Sequence, residues 1–290
     1  MKKAHTIIGI VISLVIGALV ILAGSHGSIP VAGQPLFALC GVIGFALHWS
    51  VFVPSYIFQT EHYFDLTGSI SYISTVAVAA ALNPQLDARD IIICAMIVIW
   101  AVRLGSFLFW RIKKDGQDKR FTVMKTQPIW FLMTWTLGGL WVLVTMAAGL
   151  AAITSSTTAE MGPLSWLGCA LWLFGMTVEV MADRQKTQFR AVPENRSRFI
   201  TTGLWAWSRH PNYFGEITLW LGLSLVALPV LSGWQLATMI SPVFVYLLLT
   251  RVSGITLLEA MSNKKWGDDP AYIAYRDSTP ALMLRKPRGR

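Results

Sequence analysis

Charged residues are scarce in this sequence of 290 residues. Asp and Glu together number 15, charged residues make up 13% of the chain, and apolar residues make up 54%. Ordinary soluble domains carry about 25% charged residues, and the mean hydropathy here is +0.54. This shortage of charge excludes an ordinary soluble domain and indicates a chain that crosses a membrane several times.

Cysteine is also rare, and each of the three residues Cys40, Cys94 and Cys169 lies inside an apolar stretch. The sequence contains no Cys-x-x-Cys pair and no Cys/His grouping with the spacing of metal ligands. It therefore excludes a disulfide framework and predicts no metal site. We interpret the three cysteines as core residues.

Apolar stretches of about 20 residues are long enough to cross a membrane as helices. They predict an all-α, polytopic integral membrane bundle of about seven or eight transmembrane helices. The first stretch follows Lys2 and Lys3, but it is long and no Ala-x-Ala cleavage site follows it, so we interpret it as a retained helix and not as a signal peptide. The eight predicted spans are 6–23, 35–58, 66–82, 90–110, 129–153, 164–182, 214–231 and 234–250.

Basic residues concentrate in alternate loops. They lie in three segments: the loop at 111–125, the loop at 184–209 and the tail beyond residue 262. The first of these loops includes Lys119 and Arg120. Loops rich in Lys and Arg stay in the cytoplasm, which predicts cytoplasmic termini. The net charge of +9 then describes one face of the membrane and does not argue for nucleic acid. The basic residues on that face attract anionic headgroups or surround a phosphate-bearing ligand.

The chain shows no long linker, low-complexity block or internal repeat. Most loops between the predicted helices are short enough to join antiparallel neighbours. We therefore predict a single domain over residues 1–290, with N-terminal helices in 1–58. No feature of the sequence predicts an obligate protein partner.

Residues 203–216, Gly-Leu-Trp-Ala-Trp-Ser-Arg-His-Pro-Asn-Tyr-Phe-Gly-Glu, place ionisable groups where an apolar span begins. Such groups are costly at membrane depth and indicate a site that faces a cavity. Pro211 suits the first turn of a helix, and Arg209, Tyr213 and Glu216 have helical spacing. The N-terminus of a helix binds anions, so we expect the phosphates of a nucleotide here; the alternative is a basic loop that anchors lipid headgroups.

A second polar stripe ends the sixth predicted span. Glu179, Asp183, Lys186 and Arg190 are spaced i, i+4, i+7 and i+11, which places them on one helical face before Pro193 stops the helix. The stripe is either part of the same site or a solvated ladder of ion pairs.

Two further features lie near the C-terminus. At the end of the eighth span, Arg251 and Glu259 are two turns apart on one helical face, and they form an internal ion pair or reach the same ligand. Residues 266–276 have the pattern of a short amphipathic helix.

Residues 59–68 carry carboxyl groups where the third span begins. Glu61 and Asp65 are at i and i+4, and Tyr72 follows seven residues later, so two carboxyls and a phenol face one cavity if a helix begins here. A carboxyl in a partly desolvated pocket has a raised pKa and can donate a proton. The alternative is that these acids favour the start of the helix through its dipole.

The segment Ser-Arg-His-Pro-Asn-Tyr-Phe-Gly-Glu at 208–216, with Gly-Leu-Trp before it, resembles the C-terminal signature of the membrane steroid 5α-reductase and sterol reductase superfamily, most closely its bacterial branch. The similarity covers residues 59–290 and is strongest over 179–216. Members are multi-helix membrane enzymes that bind NADPH in a cytoplasmic-side cavity and reduce a carbon–carbon double bond of a lipid. The resemblance implies a protein of the bacterial inner membrane with cytoplasmic loops that cap a cofactor cavity.

The same resemblance implies a set of residues around the cofactor. Asp183, Arg190, Asn212, Glu216 and Arg251 match its polar positions, and the remainder are neighbours in the motif or weaker matches. The full set predicted to bind NADPH is Arg103, Arg111, Glu179, Asp183, Arg190, Arg198, Arg209, His210, Asn212, Tyr213, Glu216, Arg251, Glu259 and Tyr275.

Steroid 5α-reductases polarise their substrate with a glutamate and a tyrosine. Glu61 or Asp65 stands for the glutamate, whereas the tyrosine position falls near Trp100, so Tyr63 or Tyr72 is expected to substitute. The implied reaction delivers hydride to the β-carbon of a 3-oxo-Δ4 steroid or a similar lipid enone that enters from the bilayer. The predicted catalytic residues are Glu61, Asp65 and Tyr72.

Two other classes of function remain open. Arg-His-Pro-x-Tyr is also similar to a motif of isoprenylcysteine and phospholipid methyltransferases, which bind S-adenosylmethionine. That cofactor carries no phosphate, so the many arginines favour NADPH. The second alternative is a non-catalytic lipid-binding membrane protein, which predicts no nucleotide affinity.

Overall fold

The structure is a computed structural model that describes residues 3–118 and 121–287, except for the side chain of Asp115. The basic residues Lys2, Lys119, Arg120, Arg288 and Arg290 lie outside the described residues. Within the described ranges, eight helical segments are long and apolar enough to cross a membrane. The predicted all-α, polytopic bundle is confirmed, and the chain is an integral membrane protein.

The first half of the chain begins with four helices. They are α1 (Lys3–Ser25), α2 (Leu36–Gly41), α3 (Ile43–Ile57) and α4 (Phe64–Leu82). A small antiparallel hairpin of β1 (Pro30–Val31) and β2 (Gln34–Pro35) joins α1 to α2. Its turn uses positive φ angles at Ala32 and Gly33, and α2 and α3 together form the second predicted span.

The fourth span is α5 (Ala88–Asp115), which extends the predicted helix at both ends. Asp87 accepts the Asp90 N–H while the Asp90 side chain accepts the Asp87 N–H, so the helix begins with a reciprocal capping box. Gly116 ends the helix with φ of 80°, a left-handed conformation that glycine adopts without steric cost.

Helix α6 (Pro128–Ile153) forms the core of the first part of the chain. It contacts α1, α3, α4 and α5, and 89% of its most apolar stretch is buried. Glycines permit this close packing, because a Cβ at Gly138 would lie 2.6 Å from the His48 ring and one at Gly139 would lie 2.8 Å from Phe45.

Helices α7 (Pro163–Ala191) and α8 (Pro211–Ala227) cross at glycines. A Cβ at Gly175 would lie 2.5 Å from the carbonyl oxygen of Gly215, and a Cβ at Gly215 would lie 2.6 Å from the carbonyl oxygen of Gly175. The two backbones are therefore in direct contact. Helix α7 continues past the predicted membrane segment 164–182 and ends before Pro193, as the sequence predicted.

The last span is broken, which corrects the prediction of one regular helix at 234–250. A 3₁₀ segment (Gly233–Met239) precedes α9 (Ile240–Leu247), a π-helical turn (Leu248–Val252) follows, and α10 (Ile255–Trp266) begins after Gly254. A Cβ at Gly254 would lie 2.2 Å from the Leu249 carbonyl oxygen, so the chain bends back on itself there. Because α10 is a new helix, Arg251 and Glu259 do not lie on one continuous helical face.

The predicted amphipathic helix in the tail is present as α11 (Pro270–Ser278), whose Tyr272 and Tyr275 are buried. The chain divides into two compact units, and each is considered by itself. The first unit comprises Met1–Trp166 and Leu223–Ser241, and the second comprises Leu167–Gly222 and Pro242–Arg290. The boundary at residues 58 and 59 and the single-domain organisation stay predictions.

Candidate functional site

The polar stripe of the second unit lies on one continuous helix. Glu179 and Asp183 are 2% and 7% exposed on α7, so both carboxyl groups are buried. One to two turns further on, the Lys186 ammonium lies 4.6 Å from the centre of the Trp205 ring, within the range of a cation–π contact. Arg190 follows in the last turn and is exposed to solvent. The stripe therefore runs from two buried acids, through the partly buried Lys186, to the exposed Arg190.

The N-terminus of α8 lies beside this stripe. The helix begins at Pro211, as predicted, with Asn212 and Tyr213 half-buried and Glu216 only 8% exposed. A Cβ at Gly215 would lie 2.7 Å from the Glu179 backbone nitrogen. The glycine crossing thus places the backbones that carry Glu179 and Glu216 against each other, and the structure brings these two predicted residues together.

Arg209 and His210 precede α8 and share one carboxylate. Arg209 donates from Nε to Oε1 of Glu259 at 2.9 Å and from Nη2 to Oε2 at 3.1 Å. Nε2 of His210 lies 3.1 Å from the same Oε1. Burial lowers the pKa of His210, and the hydrogen bond to Glu259 offsets only part of that effect. The suggested pairing of Glu259 with Arg251 is replaced by these contacts.

The C-terminal tail contacts the same segment. Nη1 of Arg209 donates to the carbonyl oxygens of Arg276 and Thr279. The Tyr275 hydroxyl donates to the Trp205 carbonyl oxygen at 2.7 Å, and burial raises the pKa of Tyr275. Arg209, Glu259 and Tyr275 therefore bond within the protein, and their direct contact with a cofactor stays a prediction.

Three predicted arginines of the second unit are exposed on the protein surface. Arg190 ends α7, Arg198 lies in the following loop, and Arg251 lies in the π-helical turn, all of them exposed. Exposed guanidinium groups pair readily with phosphate oxygens. Arg190 and Arg198 are close in sequence to the stripe and are available for an anion.

In the first unit, Glu61 is bound by the loop that follows α5. The carboxylate accepts a hydrogen bond from Lys125 Nζ at 2.7 Å and one from the Asp118 N–H at 2.9 Å, and Glu61 is 1% exposed. Burial acts to raise the pKa of Glu61, but these partners more than offset it, and the pKa lies below its ordinary value. The expected raised pKa is therefore wrong for Glu61.

The other predicted catalytic residues lie on α4, which begins at Phe64. Glu61 precedes the helix, so the predicted helical spacing of Glu61 and Asp65 is not formed. Asp65 lies in the first turn. Tyr72 is 3% exposed, and its ring meets that of Trp100 edge-on at 5.2 Å. Tyr63, in contrast, is 51% exposed.

The two predicted arginines of the first unit lie on α5. The Arg103 guanidinium lies 5.5 Å from the centre of the Phe107 ring, and Arg111 is exposed one helical turn before the end of the helix. Their role in cofactor binding stays a prediction.

Sequence reasoning overlooked the buried ionisable side chains of His48 and Arg89 in the first unit. His48 is 1% exposed in α3, and its Nδ1 lies 2.7 Å from the Gly44 carbonyl oxygen. Arg89 is also 1% exposed, and it donates to Ser165 Oγ and to the carbonyl oxygens of three residues. Those residues are Ala159, Glu160 and Val226. The signal available was an ionisable residue within or beside an apolar span.

These features define an all-α integral membrane protein with a polar site at the N-terminus of α8 in its second unit. The chain belongs to the family described as protein of unknown function (DUF1295), whose sequence profile matches residues 51–279. The match covers most of the region 59–290 in which the sequence predicted a family resemblance.

Two similar proteins extend this comparison. An uncharacterized protein of Schizosaccharomyces pombe is 24% identical over 238 residues, which are 70% of this chain and 66% of the relative. The 3-oxo-5-alpha-steroid 4-dehydrogenase 1 of Bos taurus is 33% identical over 70 residues, which are 24% of this chain and 27% of the bovine protein. The chain thus matches just under two thirds of the yeast relative and about a quarter of the bovine one. No solved structure matches the chain significantly.

Proposed function

We propose that this protein is an NADPH-dependent membrane reductase that saturates a carbon–carbon double bond in a 3-oxo-Δ4 steroid or a similar lipid enone. The observation that carries the proposal is the polar site of the second unit, where the glycine crossing brings the backbones that carry the buried acids Glu179 and Glu216 into contact, one turn after Asn212 at the start of α8. The partial similarity to the bovine 3-oxo-5-alpha-steroid 4-dehydrogenase 1 supports the same class.

The residues of the second unit fit a phosphate-bearing cofactor. Arg190 and Arg198 are exposed cations, and the N–H groups at the start of α8 lie at the positive end of the helix dipole. NADPH carries a diphosphate and a 2′-phosphate, whereas S-adenosylmethionine carries none. This difference favours the reductase over the methyltransferase.

When bound, NADPH supplies the hydride, which goes to the β-carbon of the enone. The chain has to donate a hydrogen bond to the carbonyl oxygen, and a proton has to reach the α-carbon. Glu61 is a poor proton donor because Lys125 holds its carboxylate ionised. We therefore assign the polarising role to Tyr72, whose phenol is buried, with Asp65 as the second candidate.

We also propose that the site of the second unit and the C-terminus lie on the cytoplasmic face of a bacterial inner membrane. Basic residues support this orientation, because the loop 184–209 and the tail beyond 262 carry most of them. Cytoplasmic placement gives the site access to NADPH, and the lipid substrate reaches the protein from the bilayer.

The proposal is tested with purified protein in detergent. Binding of NADPH, NADH and S-adenosylmethionine is measured by calorimetry, and NADPH oxidation is then followed at its absorbance maximum after a 3-oxo-Δ4 steroid is added. We expect NADPH-selective binding and oxidation that depends on the enone, with one saturated ketone formed for each NADPH consumed.

The other outcomes separate the alternatives. Binding of S-adenosylmethionine alone would move the protein to the methyltransferase class. Binding of the steroid without any nucleotide would indicate the non-catalytic lipid-binding protein. NADPH binding without oxidation would retain the cofactor and exclude the 3-oxo-Δ4 steroid as substrate.

A further inference from the structure

The carboxylate of Glu259 is shared by Arg209 and His210, the two residues that precede α8. Its Oε1 accepts from Arg209 Nε at 2.9 Å and lies 3.1 Å from His210 Nε2, while its Oε2 accepts from Arg209 Nη2 at 3.1 Å. The three side chains are 9–21% exposed. Bidentate pairing of this kind fixes both distance and orientation.

The opposite edge of the Arg209 guanidinium holds the tail. Its Nη1 donates to the carbonyl oxygens of Arg276 and Thr279, and its backbone N–H donates to the Pro280 carbonyl oxygen at 2.9 Å. We call Arg209, Glu259 and these three carbonyl groups the tail clamp. Because these contacts occupy at least four of the five guanidinium N–H donors, Arg209 has little capacity left for a ligand.

The contact with Glu259 also fixes the protonation pattern of His210. An ionised carboxylate only accepts hydrogen bonds, so the proton of neutral His210 lies on Nε2 and Nδ1 is left as an acceptor. The ring is also held in orientation, because it stacks on Tyr213 with 5.6 Å between centroids and an interplanar angle of 9°. A second partner that selects the tautomer of a functional imidazole is a common device in proteins.

We propose that Glu259 is a positioning residue for the nucleotide site: it holds His210 in the Nε2–H tautomer and, through Arg209, locks the C-terminal tail against the segment that leads into α8. This proposal rests on the proposed function in naming NADPH as the ligand. It departs from the predicted role of Glu259 as a residue in contact with the cofactor.

The groups that face His210 set the direction of its titration. Burial lowers its pKa, Glu259 acts in the opposite direction, and the positive charges of Lys186 and Arg209 lower it further. Replacing Glu259 by the neutral Gln removes the only one of these charged groups that raises the pKa. The Glu259→Gln variant should therefore keep His210 neutral to a lower pH than the wild type.

The first measurement is nitrogen NMR of protein labelled with ¹⁵N only in histidine, without nucleotide. The chain has five histidines, and His210→Gln assigns the signal. We expect the Nε2–H tautomer in the wild type, a mixed tautomer with a lower titration midpoint in Glu259→Gln, and no change in Asp277→Asn. The last variant is the matched control, since it removes an exposed carboxylate that pairs with Arg276 in the same tail.

The second measurement separates the tautomer from the tail. Arg209→Lys keeps a cation but loses the bidentate contact, so it should raise amide hydrogen exchange of the tail residues Thr279, Ala281 and Leu282. It should leave the His210 signal in the wild-type tautomer. Glu259→Gln should change both. If Glu259→Gln does not fold, Arg209→Lys still tests the tail clamp, and unchanged exchange in that variant would overturn it.

The third measurement connects the clamp to ligand binding. Loss of a charge-assisted contact predicts an NADPH Kd at least about tenfold weaker in Glu259→Gln, with the Asp277→Asn value unchanged. A wild-type protein that binds no NADPH would contradict the proposed function and leave the NMR result intact. An unchanged His210 tautomer together with an unchanged Kd in Glu259→Gln would overturn the positioning role.

Discussion

Glu61 shows how one long-range partner decides the behaviour of a buried acid. Its pKa lies below the ordinary value of 4.5, because hydrogen bonds from Lys125 and the Asp118 N–H outweigh burial. A carboxyl with a depressed pKa stabilises the fold above its unfolded-state pKa and loses that contribution as pH falls through the folded-state value. We expect the free energy of unfolding of the wild type to exceed that of Glu61→Gln by about 1–3 kcal/mol near neutral pH. The two free energies should converge below pH 4.5, the ordinary value for a glutamate.

This difference is measured as thermal unfolding of both proteins in detergent across pH. Asp277→Asn is the control, because an exposed ion pair contributes about 0–1 kcal/mol. A constant gap between wild type and Glu61→Gln down to the lowest pH would show that the carboxylate charge is not the source of the stability.

Arg89 is a buried cation whose hydrogen bonds join separate segments of the first unit. It donates to Ser165 Oγ and Glu160 O at 2.7 Å each, and also to the Val226 carbonyl oxygen. Lysine in its place cannot reach all of these acceptors, since it lacks the planar fork. We expect Arg89→Lys to lower the free energy of unfolding by about 2–4 kcal/mol, because charge-assisted bonds are lost and their acceptors stay buried without a donor.

Unfolding in this variant is followed by the reaction of a thiol dye with Cys40, which is fully buried in the first unit, in a background where Cys94 and Cys169 are replaced by Ala. Arg184→Lys, at an exposed position on α7, is the matched control. An Arg89→Lys protein with the wild-type melting temperature would mean that its hydrogen bonds contribute no net stability.

The residue-level predictions succeeded where the cause was local. Pro211 predicted the first turn of α8 because proline lacks the N–H that a first turn does not need. The predicted rise in the pKa of Glu61 was wrong, because its partner Lys125 lies 64 residues away in the sequence and local spacing does not reveal it. The partner of Glu259 lies 50 residues away, and spacing along one helix pointed instead to Arg251.

At the scale of elements, the crossing of α7 and α8 depends on glycine. A Cβ at Gly215 would lie 2.6 Å from the Gly175 carbonyl oxygen and 3.0 Å from the Glu179 Cα, so the helices have to separate to accept a methyl group. Overpacking of this kind costs about 1–3 kcal/mol. We expect Gly215→Ala to lower the melting temperature and to weaken NADPH binding, because it displaces the backbones that carry Glu179 and Glu216.

The control for this substitution is Gly68→Ala in α4, where a Cβ meets nothing within 4 Å. Alanine there should raise stability by about 0.5–1 kcal/mol through helix propensity. If Gly215→Ala matched Gly68→Ala in stability and in nucleotide affinity, the backbone contact would not be required by the site.

The positions of the helices could be predicted from the lengths of the apolar stretches, but the type of helix within a stretch could not. Eight stretches of suitable length predicted eight spans, and the described chain has eight helical segments that are long and apolar enough to cross a membrane. Hydropathy cannot show that the last span changes from a 3₁₀ segment to α-helix and then to a π-helical turn, because all three forms bury similar side chains. Gly254 was the local signal, since it permits the bend before α10.

At the scale of the whole molecule, the proposed reductase predicts that charge and shape at the start of α8 control cofactor use. Asn212 is half-buried in the first turn and Glu216 is 8% exposed, so truncation of either side chain removes a polar group that solvent does not easily replace. We expect Asn212→Ala and Glu216→Ala to weaken the NADPH Kd by about tenfold or more and to lower NADPH oxidation in proportion. Lys286→Ala, at an exposed tail position, should keep the wild-type Kd, and calorimetry on the three variants checks this. Glu216→Gln separates the effect of the charge from that of side-chain volume, because glutamine retains the volume of glutamate.

Equal affinity for NADPH in Asn212→Ala, Glu216→Ala and Lys286→Ala would place the cofactor elsewhere, even if the protein proved to be a reductase.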